Sequence, residues 1–333
     1  MHSRIAEVLP SLADAGPATA LARLVAAGLD RLPLPGQGAT LERWRALAAT
    51  SAHDLGLAKL FEGHTDALAI LYEAGALGEA DRHGARWATW CAEPPDARLT
   101  LRSNDNGQFT LHGRKAWCSG AHDVTHAVVS CWNAEGAPML AAVDVRQPGV
   151  EVTRDGWHAV GMAATASVDV LFDGASATPL GGPGFYVARA GFWHGGAGVA
   201  ACWFGAATRL AAALQTRLVG RDDPHRLAQL GRVAVALQGS AALAREAAAA
   251  IDRDPGADAM ALALSVRLHV EATCGIVLDA FGRALGAGPL CKDAILARLY
   301  ADLPVFLRQS HAERDLEALG RLVANGKETP WAL

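Results

Sequence analysis

A chain of 333 residues with 51% apolar and 19% charged side chains is too apolar for a disordered protein, and long enough for two or three substructures around a substantial core. Its formal charge of −4, with no Lys/Arg-rich run, excludes the electrostatic footprint of a nucleic-acid binder. No apolar run counts as long enough to span a bilayer, and the N-terminus lacks the basic-then-apolar plan of a secretory signal, so a cytoplasmic protein with no membrane partner is expected. The six cysteines, Cys91, Cys118, Cys131, Cys202, Cys274 and Cys291, form no Cys-x-x-Cys pair and sit in apolar segments, which predicts buried free thiols.

The period of the apolar residues changes twice along the chain. From Ala39 to about Gly84 it is helical, with Leu41, Trp44, Leu47 and Ala48 recurring at three and four residues, a junction near Ala52–Leu57, and stops at Gly75 and Gly78. Between Arg98 and Phe172 it becomes two, giving strands at 98–103, 108–113, 125–132, 139–145, 150–154 and 167–172. Asn104-Asp105-Asn106-Gly107 supplies the positive-φ residues of a tight hairpin turn between the first two. From about Ala188 helical spacing returns, broken at Arg221–Pro224, Asp254–Gly256 and Gly286–Pro289. Helices, then antiparallel strands, then helices is not the alternation of a doubly wound sheet.

The hairpin delivers Gly113-Arg-Lys-Ala-Trp-Cys-Ser-Gly120 to its exit, about forty residues before Gly161-Met-Ala-Ala-Thr-Ala-Ser-Val-Asp-Val170. Alone, a Trp at a strand end reads as core and a following Ser-Gly as a turn. In register with each other, the two segments resemble the acyl-CoA dehydrogenase family of flavoproteins, and the resemblance runs roughly from Thr40 to Gly320; Leu60–Ala67 is similar to a segment of its shorter bacterial members. It implies an α+β fold with an abbreviated N-terminal helical domain (1–88), a central antiparallel β-domain (89–180) and a C-terminal four-helix bundle (181–325). It also implies FAD as cofactor, with Trp117 packed on the isoalloxazine ring, Ser119 bonded near N5, and Thr165 and Ser167 as further contacts. Of the family's Thr-Glu-Pro, only Glu93 and Pro94 remain. Ala92 keeps just a backbone donor for the flavin pyrimidine, and the Gly-Ser-Asp turn that follows in the family is lost.

In the C-terminal half, Gly286 and Ala287 open the loop that in the family meets the ADP part of a neighbouring subunit's cofactor, which implies a homodimer or homotetramer. Arg283 stands where a pyrophosphate contact is usual, and reads equally as a solvated helix-end residue. Asp302 is retained from the family's Arg-Asp pair, whereas its neighbour is Ala301. Counting from Asp302 puts Ser310 where the catalytic glutamate normally stands, and the alternative position falls near Gly195, again without a carboxylate. His311 and His194, adjacent to these two positions, are the candidates for a base that titrates in a useful range.

Three readings of function follow from the resemblance. The first is FAD-dependent α,β-dehydrogenation of an acyl thioester, carried by CoA or by a carrier protein, with the electron acceptor open. The alternatives are a flavin-dependent monooxygenase of the same fold acting on another small molecule, and a non-catalytic scaffold. Other motifs are discounted. Gly196-Ala-Gly-Val-Ala-Ala201 has no strand before it and is not a dinucleotide fingerprint. Gly191, Gly195, Gly198, Cys202 and Gly205 instead form one helical stripe, suited to close approach of another backbone or a flat ligand. His122 and His126 lack a third ligand for zinc, and Glu313, Asp315 and Glu317 read as a solvated helix face.

Overall fold

The computed structural model describes residues 1–80, 82–326 and 331. Helices α1 (His2–Val8), α2 (Pro17–Ala26), α3 (Thr40–His53), α4 (Leu55–Glu73) and α5 (Leu77–Ala80) come first. Strands β1 (Trp87–Trp90), β2 (Leu99–Ser103), β3 (Phe109–Cys118), β4 (His126–Trp132), β5 (Pro138–Asp144), β6 (Val150–Val152) and β7 (Val168–Leu180) follow. Helices α6 (Phe185–Ala188), α7 (Gly191–Leu218), α8 (Pro224–Arg253), α9 (Met260–Leu285), α10 (Gly288–Lys292), α11 (Ala294–Phe306) and α12 (Glu313–Asn325) complete the chain.

Capping carboxylates set several of the helix starts. Asp54 leaves the helical conformation between α3 and α4 and accepts the Leu57 N–H at 2.7 Å. Asp223 does the same for His225 and Arg226, with Pro224 pre-set at the first position of α8, and Asp293 caps α11 through Leu296.

The glycine stripe of α7 faces α3 and α4. A Cβ on Gly205 would lie 2.1 Å from the carbonyl oxygen of Ala48, and one on Gly198 would meet the indole of Trp44. The close neighbour is protein, backbone at Gly205 and side chains at Gly191, Gly195 and Gly198, and this packing offsets the helix cost of glycine, about 1 kcal/mol at each position. One expectation needs correction here. Two helices, α7 and α9, are long and apolar enough by length and composition to cross a membrane. In the most apolar window of α7, 61% of the residues are buried in the molecule, and α9 packs along α7, so much of this apolar surface belongs to the helical core.

The strands form one sheet that closes on itself. The path runs β1-β4-β2-β3-β7-β5, β5 pairs back to β4, and β6 adds to β7. The pairing is not purely antiparallel as expected: β1 runs parallel to β4, and a single parallel bridge, Thr100 to Trp132, joins β2 to β4. The strand at Trp87–Trp90 was missed, because the run of only four residues, Trp-Ala-Thr-Trp, lies where helical spacing fades. β3 and β7 run several residues past their expected ends because they pair with each other, from Phe109 opposite Ala177 to Cys118 opposite Val168. Of the cysteines, four are buried, Cys91 is half-buried and Cys291 is exposed, all as free thiols.

A charge lies within this sheet. Lys115 takes a position with the parity of Leu111, and its side chain is 2% exposed. Its ammonium donates to Glu93 and to the Ser130 hydroxyl, each at 2.6 Å, and to the Ser130 carbonyl at 2.9 Å. Glu93 also accepts from Ser130 Oγ and from Trp132 Nε1. Burial pushes the Glu93 carboxyl up, but bonds from Lys115, Ser130 and Trp132 outweigh it and hold the pKa below the ordinary glutamate range.

Because Glu93 is 32% exposed while Lys115 is almost fully buried, the two deletions should differ. Glu93→Leu strands a buried ammonium and should cost about 3 kcal/mol or more in urea unfolding. Lys115→Met leaves a carboxylate that water reaches, and should cost less than half of that. A depressed carboxylate pKa gives stability that is present above the unfolded value and lost as pH falls through the folded one. The gap between the native protein and Glu93→Leu should therefore narrow in acid below the ordinary glutamate range; a constant gap would contradict the ionised pair.

Candidate functional site

Between Lys115 and Cys118 the register of β3 shifts against β7: three steps on β3 match two, Val170 to Val168, on its partner. The extra residue makes a β-bulge, a device that re-aims a side chain. Trp117 sits in it at φ 58°, in the left-handed region that bulky residues avoid, with its side chain turned outward and 51% exposed. Ser119 follows directly, half-buried.

Opposite it lies the turn 161–167. Met162 and Ala166 hold φ values of 57° and 39°, again left-handed without being glycine. Gly161 is pressed on α11 so closely that a Cβ would stand 2.3 Å from the Ala301 carbonyl. The next residue of α11, Asp302, is buried and accepts the Met162 N–H. Burial pushes the Asp302 pKa up, opposed by that N–H bond. The turn meets the hairpin exit through its hydroxyls: Ser119 Oγ to Ser167 Oγ is 2.8 Å, Ser167 Oγ to Thr165 Oγ1 is 2.9 Å, and Thr165 Oγ1 donates to the Met162 carbonyl at 2.7 Å. The Gly120 N–H donates to the Thr165 carbonyl at 2.7 Å, and Trp90 Nε1 to the Ser119 carbonyl at 3.1 Å.

Four non-glycine residues among those described have positive φ. Three of them, Trp117, Met162 and Ala166, stand in these two segments, and the fourth, Ala312, lies two residues after Ser310. Each such residue costs of order 1–3 kcal/mol and persists only where the surroundings enforce it, so their concentration makes these two segments the candidate site.

The remaining expected site residues are placed elsewhere. Ala92 lies half-buried between β1 and β2, next to Glu93. Arg283 is 67% exposed and bonds Asp279 on its own helix at 2.8 Å, an aspartate shared with Arg232. Gly286, at φ 63°, ends α9, and Ala287 precedes α10. Ser310 is buried, and its hydroxyl accepts the Ala312 N–H at 3.1 Å. The His311 ring is 67% exposed, 3.4 Å from Asp315. His194 is buried beside Gly36; burial lowers its pKa, while Glu73 and Asp252 pull the other way. Among the described residues no hydrogen bond ties Arg283, His194 or His311 to the hydroxyl row. Nor do any His, Cys, Asp and Glu side chains group as a metal site. A recess of about 430 Å³ between α9 and α12, lined by Met260, Glu317, Ala318, Arg321, Leu322 and Asn325, holds none of the expected site residues, and its charged pair, Glu317 with Arg321, is satisfied within α12.

Sequence reasoning passed over one buried pair. His64 Nδ1 accepts the Trp87 N–H at 3.0 Å, so Nε2 carries the hydrogen and donates to Asp30 at 3.1 Å. This pair ties the segment before α3, helix α4 and β1 together behind the site. Its signal was a histidine in the apolar row Leu57, Leu60, Phe61, His64, Leu68, Leu71.

Residues 95–175 match the acyl-CoA dehydrogenase middle domain. Over 97 residues, 27% of this chain, the sequence is 40% identical to the amino sugar nitrososynthase DnmZ of Streptomyces peucetius; that match covers 24% of DnmZ. Among solved structures, the dibenzothiophene monooxygenase TdsC of Paenibacillus sp. A11-2, in complex with FMN and indole, superposes with a TM-score of 0.83 at 19% identity, covering 97% of this chain and 96% of TdsC. KijD3, in complex with FMN and a dTDP-amino-keto sugar, superposes at 0.82 and 21%, covering 99% and 94%. These likenesses establish the fold.

The strain at Trp117 is measurable without any ligand. Trp117→Ala keeps a Cβ at positive φ, whereas Trp117→Gly removes it. The glycine variant should be the more stable of the two by about 1 kcal/mol in urea unfolding. Equal stabilities, or a more stable alanine variant, would contradict a strained bulge.

Proposed function

We propose that this divergent member of the acyl-CoA dehydrogenase family is a flavin-dependent monooxygenase, which receives reduced flavin from a separate reductase and oxygenates a small molecule. The observation that carries the reading is a contrast within one site. The face that the resemblance assigns to the flavin ring keeps its aromatic residue, its hydroxyls and a strained backbone, at Trp117, Ser119, Thr165 and Ser167. The positions that would bear a dehydrogenase base do not keep it. The Ser310 hydroxyl serves the Ala312 N–H, His311 points to solvent against Asp315, and Gly195 carries no carboxylate, while the one beside it, Asp66, is paired with the buried Arg189. Abstraction of a thioester α-proton requires a positioned base, and oxygen transfer does not require one in that place.

The residues fit a flavin on physical grounds. Trp117 offers a flat apolar face already turned outward, at a cost in backbone strain that the surrounding structure holds in place. Ser119 is the one member of the hydroxyl row within reach of a ligand. When bound, reduced flavin supplies the electron pair for splitting dioxygen, one oxygen atom going to substrate and the other leaving as water. We assign the mononucleotide as the form bound. Arg283, the one side chain expected at an ADP group, is held by Asp279, and Ala301 replaces the arginine beside Asp302. The FMN complexes of TdsC and KijD3 agree with this assignment. For substrate, the likeness to DnmZ, an amino sugar nitrososynthase, and to KijD3, solved with a dTDP-amino-keto sugar, favours the amine nitrogen of an amino sugar nucleotide.

The test is oxygen consumption by the purified full-length protein, supplied with FMN or FAD, a flavin reductase and NADH, with a dTDP-amino sugar as trial substrate. An oxygenated product formed only with the complete system is expected, with FMN outperforming FAD. Anaerobic bleaching of bound flavin by an acyl-CoA, without any reductase, would instead establish the dehydrogenase, and no affinity for either flavin would establish a scaffold.

A further inference from the structure

The hydroxyl row has a direction, which donor counting fixes. A hydroxyl carries one hydrogen and two acceptor lone pairs. Thr165 gives its hydrogen to the Met162 carbonyl, a group that can only accept, and has none left for Ser167. The 2.9 Å contact between Thr165 and Ser167 is therefore a donation by Ser167, which in turn has none left for Ser119. The 2.8 Å contact between Ser167 and Ser119 is then a donation by Ser119. Thr165 and Ser167 are buried, and Ser119 alone is accessible. What the row presents outward is a lone pair with no hydrogen.

The direction is anchored at its inner end. The Met162 carbonyl also accepts the Thr165 N–H at 3.0 Å, which holds it on Thr165, and the Met162 N–H is held by Asp302. The main chain of both segments is pinned as well, by Gly120 to Thr165 and by Trp90 to Ser119.

We propose that this row makes Ser119 a hydrogen-bond acceptor, and that the site thereby selects reduced flavin, whose N5 carries a hydrogen, over oxidised flavin, whose N5 only accepts. The inference rests on the reading above, in which Ser119 meets N5. Against oxidised flavin the site must either face two acceptors together or break the Ser119–Ser167 bond; against reduced flavin it loses nothing. Thr165 and Ser167 act through Ser119 and are positioning residues. The selection suits an oxygenase fed by another protein: the site takes the form that arrives and releases the spent one.

The experiment is an anaerobic measurement of Kd for oxidised FMN and for dithionite-reduced FMN, by ultrafiltration, with no turnover involved. The native protein should bind the reduced form tighter by about tenfold or more, the scale of one hydrogen bond made instead of opposed. In Thr165→Val the hydrogen of Ser167 is freed for Ser119 and that of Ser119 for the outside. The ratio of the two Kd values should then fall toward one, mainly by tighter binding of oxidised FMN, which a merely structural role would not produce. Ser119→Ala, checked for fold by circular dichroism, should also bring the ratio near one. Equal affinities in the native protein, or an unchanged ratio in either variant, would overturn the proposal while leaving flavin binding in place. Failure of the native protein to bind either form would overturn the flavin reading and this inference with it.

Discussion

The bond from the Met162 N–H to the buried Asp302 carboxylate joins the turn that enters β7 to helix α11, where residues 161–167 have to be held against their own preferences. The two left-handed residues in that turn, Met162 and Ala166, cost of order 1–3 kcal/mol each. A hydrogen bond to a charged group returns about 1.5–3 kcal/mol, so Asp302 alone roughly matches one of them. The rest comes from contact: Gly161 lies against the Ala301 carbonyl at a distance no other residue allows, and the hydroxyls of Thr165 and Ser167 close the turn from the other side. If this joint fails, the hydroxyl row loses its fixed end, and Ser119 its direction.

A joint of that kind needs rigid partners on both sides. On the helical side, the close approach of α7 to α3 at Gly205 and Ala48 fixes the N-terminal helices on the C-terminal ones, and the His64–Asp30 pair carries α4 onto β1. On the sheet side, closure of the strands into a ring leaves β3 little freedom to slide, and Lys115 with Glu93 pins it two residues before the bulge. Trp117 is thus held in a poor backbone conformation by a stiff surround. Local strain at a ligand-facing residue, balanced by the packing around it, links the fold to the chemistry proposed for it.

Much of this was legible in the sequence, and the failures have definite causes. The Asn104–Gly107 turn, the helix breaks at Pro224 and Gly286, and the glycine stripe of α7 are local signals that tertiary structure has no reason to override. The meeting of Ser119 with Thr165 and Ser167 was legible only through a resemblance, because nothing local says that residues forty or more apart meet. The bulge at Trp117 and the strain at Met162 and Ala166 were invisible, since none of the three is a residue whose presence announces positive φ. Lys115 and His64 left a signal of another kind, a polar residue in an apolar row, which means a buried partner even when the partner cannot be named. The base candidates His311 and His194 came from counting positions, and counting says nothing about burial: one faces solvent, the other packs beside Gly36.

Hydrogen exchange of the native protein, followed by mass spectrometry with and without reduced FMN under anaerobic conditions, tests most directly whether the joined segments form the site. Binding should slow exchange at the backbone amides of residues 117–120 and 161–167 together, and leave the outer ends of α9 and α12 unchanged. Protection confined to other parts of the chain, with both of these segments unaffected by a flavin that binds, would contradict the assignment of the site.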